Sequence, residues 1–133
     1  MFGQAGHAYI YPIHAGHCFN VVTGNIDSPE AVLIRAVEPD VGLSTIKQRR
    51  NQDKPRLLTT GPSRLCQAFG FNREQDGVDL TRRRLVWVEH VEHETEIPIM
   101  TSPRIGVTSG QTLELRFVWK GNGYVSGPKK WRI

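Results

Sequence analysis

The sequence predicts an α+β fold with an antiparallel, partly barrel-like β-sheet, short peripheral helices and a protruding β-hairpin. Short segments rich in β-branched and aromatic residues are separated by turn residues, and two short helical segments lie between them. No apolar stretch reaches the roughly 18 residues that a membrane-spanning helix needs. The 133 residues contain no internal repeat and predict one domain over positions 1–133.

The N-terminal part predicts the β-hairpin. Residues 8–13 and 18–23 are rich in aromatic and β-branched side chains, and Pro12 places the first strand at a sheet edge or a bulge. The four residues between them, 14–17, include a glycine and are expected to form the tip. The tip therefore presents two imidazoles, His14 and His17.

A third, nearly continuous apolar run over residues 31–37 predicts a buried strand that contains Arg35. Removing an unpaired guanidinium from water is costly, so this side chain needs a carboxylate or a phosphate partner. Alternatively, Arg35 lies at the strand end and reaches solvent. The residues alone leave both interpretations open.

Residues 61–70 predict a helix that has Pro62 in its first turn and Gly70 at its C-terminal end. Its first N–H groups, with Ser63 and Arg64 beside them, would suit a phosphate, although short helices commonly begin this way without a ligand. Another helix is predicted over residues 42–50, and further strands over residues 85–89, 97–100, 104–107 and 113–119. The last strand alternates, so that its apolar side chains share one face: Leu113, Leu115, Phe117 and Trp119.

Composition and charge favour some classes of function and argue against others. Seventeen Lys and Arg against thirteen Asp and Glu give a net charge of +4, which favours a polyanionic partner, although solvated surface charge is an equal alternative. The cations cluster in residues 47–56, 82–84 and 129–132. The N-terminus has no export signal, and two cysteines fit the reduced thiols of a cytoplasmic protein. Membrane, secreted and fibrous proteins are not expected.

The histidines do not predict a metal site. His14 with His17, and His90 with His93, are spaced i,i+3 in segments expected to be turn or strand, where such positions point to opposite faces. No phosphate-binding loop, dinucleotide fingerprint or hydrolase nucleophile motif is present. We therefore expect neither metal nor cofactor.

Several motifs, in order and in register, resemble the alkyladenine (3-methyladenine) DNA glycosylase family. They are YIY at 9–11, CFNVVT at 18–23, EAVLIRAVEP at 30–39, GPSRLCQA at 61–68, TSPRIGV at 101–107, LRF at 115–117, KGN at 120–122 and VS at 125–126. The resemblance implies a base-excision repair enzyme that flips an alkylated purine out of duplex DNA and hydrolyses its N-glycosidic bond. It implies a monomer associated with the cytoplasmic nucleoid.

The resemblance also implies roles for the base-pocket residues. Tyr11 matches an aromatic wall of the pocket, which binds a cationic purine by stacking and cation–π attraction. Asn20 matches the asparagine that disfavours guanine by crowding its exocyclic amine. Arg35 matches the arginine that pairs with the catalytic carboxylate, and the backbone carbonyl of Ile105 matches a group that contacts the nucleophilic water.

Two further implications concern the DNA interface and the chain's start. His14 stands where the family has a wedge tyrosine, with His17 as a second candidate, and Ser63 and Arg64 suit phosphate contacts. The family's segment with the general-base glutamate, a stacking tyrosine and a pocket histidine has no counterpart in residues 1–133. We expect an N-terminally truncated chain of low activity with exposed apolar surface. The alternatives are a non-catalytic DNA-binding module of this fold and a fold without a DNA role.

Overall fold

The computed structural model describes residues 1–14, 16–92 and 95–132, which form two compact units, Met1–His90 and Val91–Ile133. The first unit contains a three-stranded antiparallel sheet and two helices, and the second contains a two-stranded antiparallel sheet. The sheets formed by these described residues are open. The α+β class is therefore confirmed, whereas the single-domain organisation stays a prediction.

The predicted hairpin is present with a shorter link. β1 (Ala8–Ile13) pairs antiparallel with β2 (Gly16–Val22), and Ile13 lies opposite Gly16. Two residues connect the strands instead of four, and the second of them, Ala15, lies outside the described residues. His17 consequently belongs to β2, where it is paired with Pro12, because the ladder continues two residues further than the glycine suggested.

The third strand is shorter than predicted. β3 (Ala31–Leu33) pairs with β2, and the last ladder hydrogen bond runs from the N–H of Ile34 to the carbonyl of Phe19 at 3.0 Å. The carbonyl of Arg35 instead accepts from the N–H of Gly61 at 2.9 Å. The prediction of a strand to residue 37 is wrong beyond Leu33, because the chain turns away from β2 and pairs with the segment before the second helix.

Both predicted helices are confirmed: α1 (Leu43–Arg50) and α2 (Pro62–Phe69). Gly70 ends α2 with φ of 71°, a left-handed conformation that glycine adopts without a Cβ clash. Two short 3₁₀ turns, Pro55–Leu57 and Arg73–Gln75, follow α1 and α2 respectively.

The core of the first unit fixes α2 on the sheet. Ile10 and Phe19 pack with Leu65 and Cys66 of α2 and with Leu80, and each of these side chains is at most 6% exposed. Full burial of such side chains stabilises the fold by about 1.5–3 kcal/mol each. The residues at the start of α2 are therefore held in a defined position relative to the hairpin. A second cluster, Ile46, Leu58 and Ala68, joins α1 to α2.

Side chains cover the outer edge of β1. The N–H of Ile10 donates to Oδ1 of Asp76 at 2.7 Å, and a guanidinium nitrogen of Arg73 donates to the carbonyl of Ile10 at 2.8 Å. Beside them, the N–H of Ala8 donates to the carbonyl of Val78. The N–H groups of Ala8 and Ile10 and the carbonyl of Ile10 are thus bonded within the chain.

The second unit is built on β4 (Ile99–Ser102) paired with β5 (Arg116–Trp119), and a 3₁₀ turn spans Lys129–Arg132. Arg116 is 4% exposed and donates to Oγ of Ser102 at 3.0 Å. The apolar residues of the alternating segment are exposed instead: Leu113, Leu115, Phe117 and Trp119. The strands predicted over residues 85–89 and 104–107 are wrong, since both described segments are irregular.

Candidate functional site

The two predicted base-pocket residues lie on one face of the hairpin. Tyr9 is opposite Asn20 in the β1–β2 register, and Tyr11 follows Tyr9 by two residues. Because side chains alternate along a strand, Tyr9, Tyr11 and Asn20 share a face. Asn20 is 6% exposed and Tyr11 is half-buried.

The Asn20 amide has a fixed orientation. Its nitrogen donates a hydrogen bond of 3.1 Å to the backbone carbonyl of Tyr9. The Oδ1 atom and the second N–H of the amide therefore remain able to bond to a ligand on this face.

Tyr9 is a residue that the sequence analysis did not select as a site residue. Its ring lies 5.3 Å from that of Tyr11 at an interplanar angle of 38°, so the two rings support each other. The sequence could have indicated it, because two tyrosines spaced i,i+2 in a predicted strand share a face. Tyr9 links both expected pocket residues: its ring contacts Tyr11, and its carbonyl holds Asn20.

The surroundings of Tyr11 raise the pKa of its phenol. Burial raises the pKa of Tyr11, and the neighbouring Cys18 side chain, which faces it across the ladder, raises it further. Burial also raises the pKa of Cys66, below the sheet, to about 11, with a smaller contribution from Cys18. Tyr11 and Cys66 therefore keep their protons at neutral pH.

The hairpin end lies against the start of α2. Gly16 has φ of 144°, and a Cβ atom added to it would lie 2.7 Å from Oγ of Ser63. Two of the predicted DNA-contact groups are thereby brought together, the hairpin end with His14 and the helix start with Ser63 and Arg64. His14 and Arg64 are exposed, as a contact with DNA requires.

His17 occupies a different position from the other predicted contacts. It is paired with Pro12, the residue next to Tyr11 in β1. Because neighbouring side chains in a strand point to opposite faces, His17 lies on the other face of the hairpin from Tyr11 and Asn20. It is half-buried. The two candidate wedge residues are therefore not equivalent, because His14 follows the last residue of β1 and is exposed.

Arg35 is held at the junction between the sheet and α2. It is half-buried, its carbonyl binds the N–H of Gly61, and the next residue, Ala36, forms an antiparallel bridge with Thr60. The backbone of Arg35 is thus tied to the residue that precedes α2. Ile105 lies in the second unit after β4 and is half-buried, and its predicted role stays a prediction.

Within residues 1–14, 16–92 and 95–132, no three His, Cys, Asp or Glu side chains are grouped so that they could hold a metal ion. None of the helices there has the length and apolar character needed to span a membrane.

Comparison with known proteins places these residues in context. The sequence pattern of the family described as methylpurine-DNA glycosylase (MPG) matches residues 1–123. A relative from Carboxydothermus hydrogenoformans is 43% identical over 127 residues, and one from Methanoculleus marisnigri is 44% identical over 130 residues; both alignments cover 95% of this chain. A third, from Rhodopirellula baltica, is 42% identical over 132 residues and 96% of this chain.

All three relatives carry the name "Putative 3-methyladenine DNA glycosylase". The aligned part represents 66%, 67% and 57% of the lengths of the Carboxydothermus, Methanoculleus and Rhodopirellula proteins, respectively. The chain thus spans about two thirds or less of the length of these curated relatives.

Proposed function

This chain belongs to the methylpurine-DNA glycosylase family, and we propose from that premise that it acts on DNA that contains a damaged purine. The proposed reaction is hydrolysis of the N-glycosidic bond of an alkylated purine of the 3-methyladenine type, after the base has been flipped out of the duplex. The proposed partner is double-stranded DNA, bound by a monomer in the cytoplasmic nucleoid.

The observation that carries this proposal is the arrangement of Tyr11 and Asn20 on one face, with Tyr9 contacting both. A purine alkylated on a ring nitrogen is often cationic, so a neutral aromatic ring attracts it through stacking and through its π-electrons. The Tyr11 ring is neutral at pH 7, since its ordinary pKa is 10.0 and burial raises it. The Asn20 amide, held at Tyr9, provides the polar group that would discriminate among purines.

The proposed wedge is His14 at the hairpin end. When a base leaves the stack, a side chain that fills the gap in the minor groove offsets part of the lost stacking energy. The contact of Gly16 with Ser63 would keep this end in place while the phosphates are held at the start of α2. Ser63 and Arg64 are the proposed phosphate contacts, and His17 is the second candidate for the wedge.

For the hydrolytic step we propose positioning roles. The guanidinium of Arg35 would orient the carboxylate that activates the water, and the carbonyl of Ile105 would accept a hydrogen bond from that water. Orientation by such groups matters because water attack without a positioned base loses a factor of about 10²–10⁴. We assign no residue of this chain as that base.

The test measures flipping and base release separately on the chain as it exists. A duplex with one hypoxanthine or 3-methyladenine and a fluorescent neighbouring base reports unstacking, and chromatography reports the free base. Release of the damaged base in excess of an undamaged-duplex control supports the glycosylase. Lesion-dependent unstacking without release supports the non-catalytic DNA-binding module, and the absence of both contradicts a DNA role.

A further inference from the structure

Within the first unit, positive charge is concentrated in residues 41–70. This segment contains six Lys and Arg residues and a single carboxylate, Asp53. The other 60 residues of Met1–His90 contain five Lys and Arg against eight Asp and Glu. Within this unit, attraction for a polyanion therefore originates mainly in α1, the following loop and α2.

The structure holds the central cation of this segment between the two helices. Nε of Arg50 donates to the carbonyl of Leu58 at 3.0 Å, and another nitrogen of the same group donates to the side-chain oxygen of Gln67 on α2. The side-chain nitrogen of Gln67 in turn donates to the carbonyl of Arg49 at 3.1 Å. These acceptors are neutral, so they fix the guanidinium of Arg50 without cancelling its charge.

A second guanidinium lies close to the first. Burial lowers the pKa of Arg50, and the positive charge of Arg64 lowers it further. Arg64 is exposed and donates to the backbone carbonyl of Thr60 at 3.3 Å, which is again a neutral oxygen. Two like charges held near each other by neutral groups repel, and a bound anion between them or above them would relieve that repulsion.

Cations elsewhere in the same unit are balanced differently. Arg82 pairs with Asp79 at 3.1 Å, and Arg83 pairs with Glu89 at 2.6 Å. In these pairs the carboxylate offsets the charge of the guanidinium, whereas Arg50 and Arg64 donate to uncharged oxygens. The difference separates a surface suited to an anionic ligand from ordinary surface ion pairs.

Two contacts connect these cations to the hairpin end. Arg64 follows Ser63, whose Oγ lies beside Gly16, and α1 packs on α2 through Ile46 and Ala68. We name the cations of residues 41–70 the cationic strip, and its members are Lys47, Arg49, Arg50, Lys54, Arg56 and Arg64.

We propose that the cationic strip binds backbone phosphates of the duplex that flank the flipped nucleotide. This inference rests on the proposed function and extends the DNA contact from the hairpin end along α2 and α1. A duplex is the favoured occupant because its phosphates form a continuous charged track, which can contact several of these cations beyond the hairpin end.

The test compares salt dependence of duplex binding between two variants with the same change in net charge. Lys47→Gln/Lys54→Gln removes two cations of the strip, and Arg82→Gln/Arg83→Gln removes two ion-paired cations outside it. Each lost phosphate contact lowers the slope of log affinity against log salt by about 0.9. The strip variant is expected to lose about 1.8 in slope, which corresponds to about a 12-fold smaller affinity loss over a fourfold rise in salt.

The control variant is expected to retain the wild-type slope, and thermal melting shows that both variants are folded. Wild-type binding with a slope that Lys47→Gln/Lys54→Gln leaves unchanged overturns the cationic strip while the proposed function stands. An equal decrease in both variants also overturns it, because the effect then reflects total charge. Failure of the wild type to bind duplex at low salt overturns the strip and the proposed function together.

Discussion

The side-chain nitrogen of Asn20 donates a 3.1 Å hydrogen bond to the backbone carbonyl of Tyr9, the residue that faces it across the β1–β2 ladder. Asn20 is 6% exposed, so the partner it holds cannot readily be replaced by water. This contact therefore contributes to the stability of the hairpin and fixes the direction of the amide oxygen.

The first prediction concerns Asn20→Asp. At this buried position the protonated acid is favoured, because burial disfavours charge and only the protonated form can donate to Tyr9. The pKa of the new carboxyl is then higher in the folded than in the unfolded chain. Its destabilising effect is expected to be small at low pH and to grow as pH rises through the raised pKa.

Melting temperatures measured between about pH 4 and pH 8 check this prediction, since that range covers the expected titration of a perturbed carboxyl. Asn20→Ala serves as the control, because it removes the donor without adding a titratable group. A difference between wild type and Asn20→Asp that does not change with pH would show that the hydrogen bond to Tyr9 is not what holds the side chain.

The second prediction concerns Gly16→Ala. The added methyl would meet Oγ of Ser63 at 2.7 Å, and φ of 144° is unfavourable for alanine. We expect a loss of about 1–3 kcal/mol in the free energy of unfolding. Urea denaturation measures the loss, and Gly3→Ala is the matched control, because a Cβ there would meet open space.

Combining Gly16→Ala with Ser63→Gly separates the two sources of that loss. Relief of the steric contact is expected to make the double variant more stable than the sum of the single effects predicts. Additive effects would instead assign the whole loss to the backbone conformation of Gly16 and would leave no role for Ser63.

The third prediction follows from the raised pKa of Cys66, about 11. The thiol form is favoured in the folded protein, while in the unfolded chain the group ionises near its ordinary value of 9.0. Its contribution to stability is therefore complete below pH 9.0 and is lost as pH rises from there toward 11. Unfolding free energies of wild type and Cys66→Ala should converge over this alkaline range.

Thiol reactivity gives a second measurement of the same property. Cys18 and Cys66 are both buried and free, so both should react slowly with a disulfide reagent in the native state and rapidly in urea. Fast native reaction of Cys66 near pH 7 would contradict the packing of α2 on the sheet, and fast native reaction of Cys18 would contradict its burial beside Tyr11.

The fourth prediction concerns the ring of Tyr11. Tyr11→Phe keeps the aromatic contact with Tyr9, whereas Tyr11→Leu removes stacking worth about 1–3 kcal/mol per base. The affinity ratio of damaged to undamaged duplex should be nearly unchanged in Tyr11→Phe and about tenfold lower in Tyr11→Leu. Equal losses in both variants would point to the hydroxyl group and against stacking.

Local signals predicted the elements that surround the site. The hairpin follows from alternating aromatic and β-branched residues, and α2 follows from Pro62 and Gly70 at its ends. The shared face of Tyr11 and Asn20 depends on the register of β1 and β2, which the sequence did not determine because the predicted link had four residues instead of two.

Tertiary pairing was harder to predict. Residues 35–37 have strand-like neighbours, but hydrogen bonding to Thr60 and Gly61 replaces the ladder with β2, and no local pattern reveals that exchange. In the second unit, alternation correctly separates two faces of β5 without indicating which one is buried. The buried residue is Arg116, whose guanidinium donates hydrogen bonds to oxygens of Ser102 and Ser126. Phe117 is exposed.

The side chains of Asp76 and Arg73 occupy the N–H and carbonyl of Ile10 at the outer edge of β1. A foreign strand could add to this side of the sheet only by displacing a carboxylate and a guanidinium together. Since an uncovered edge is a template for strand-to-strand aggregation, these two charged groups protect the hairpin from incorporation into larger sheets.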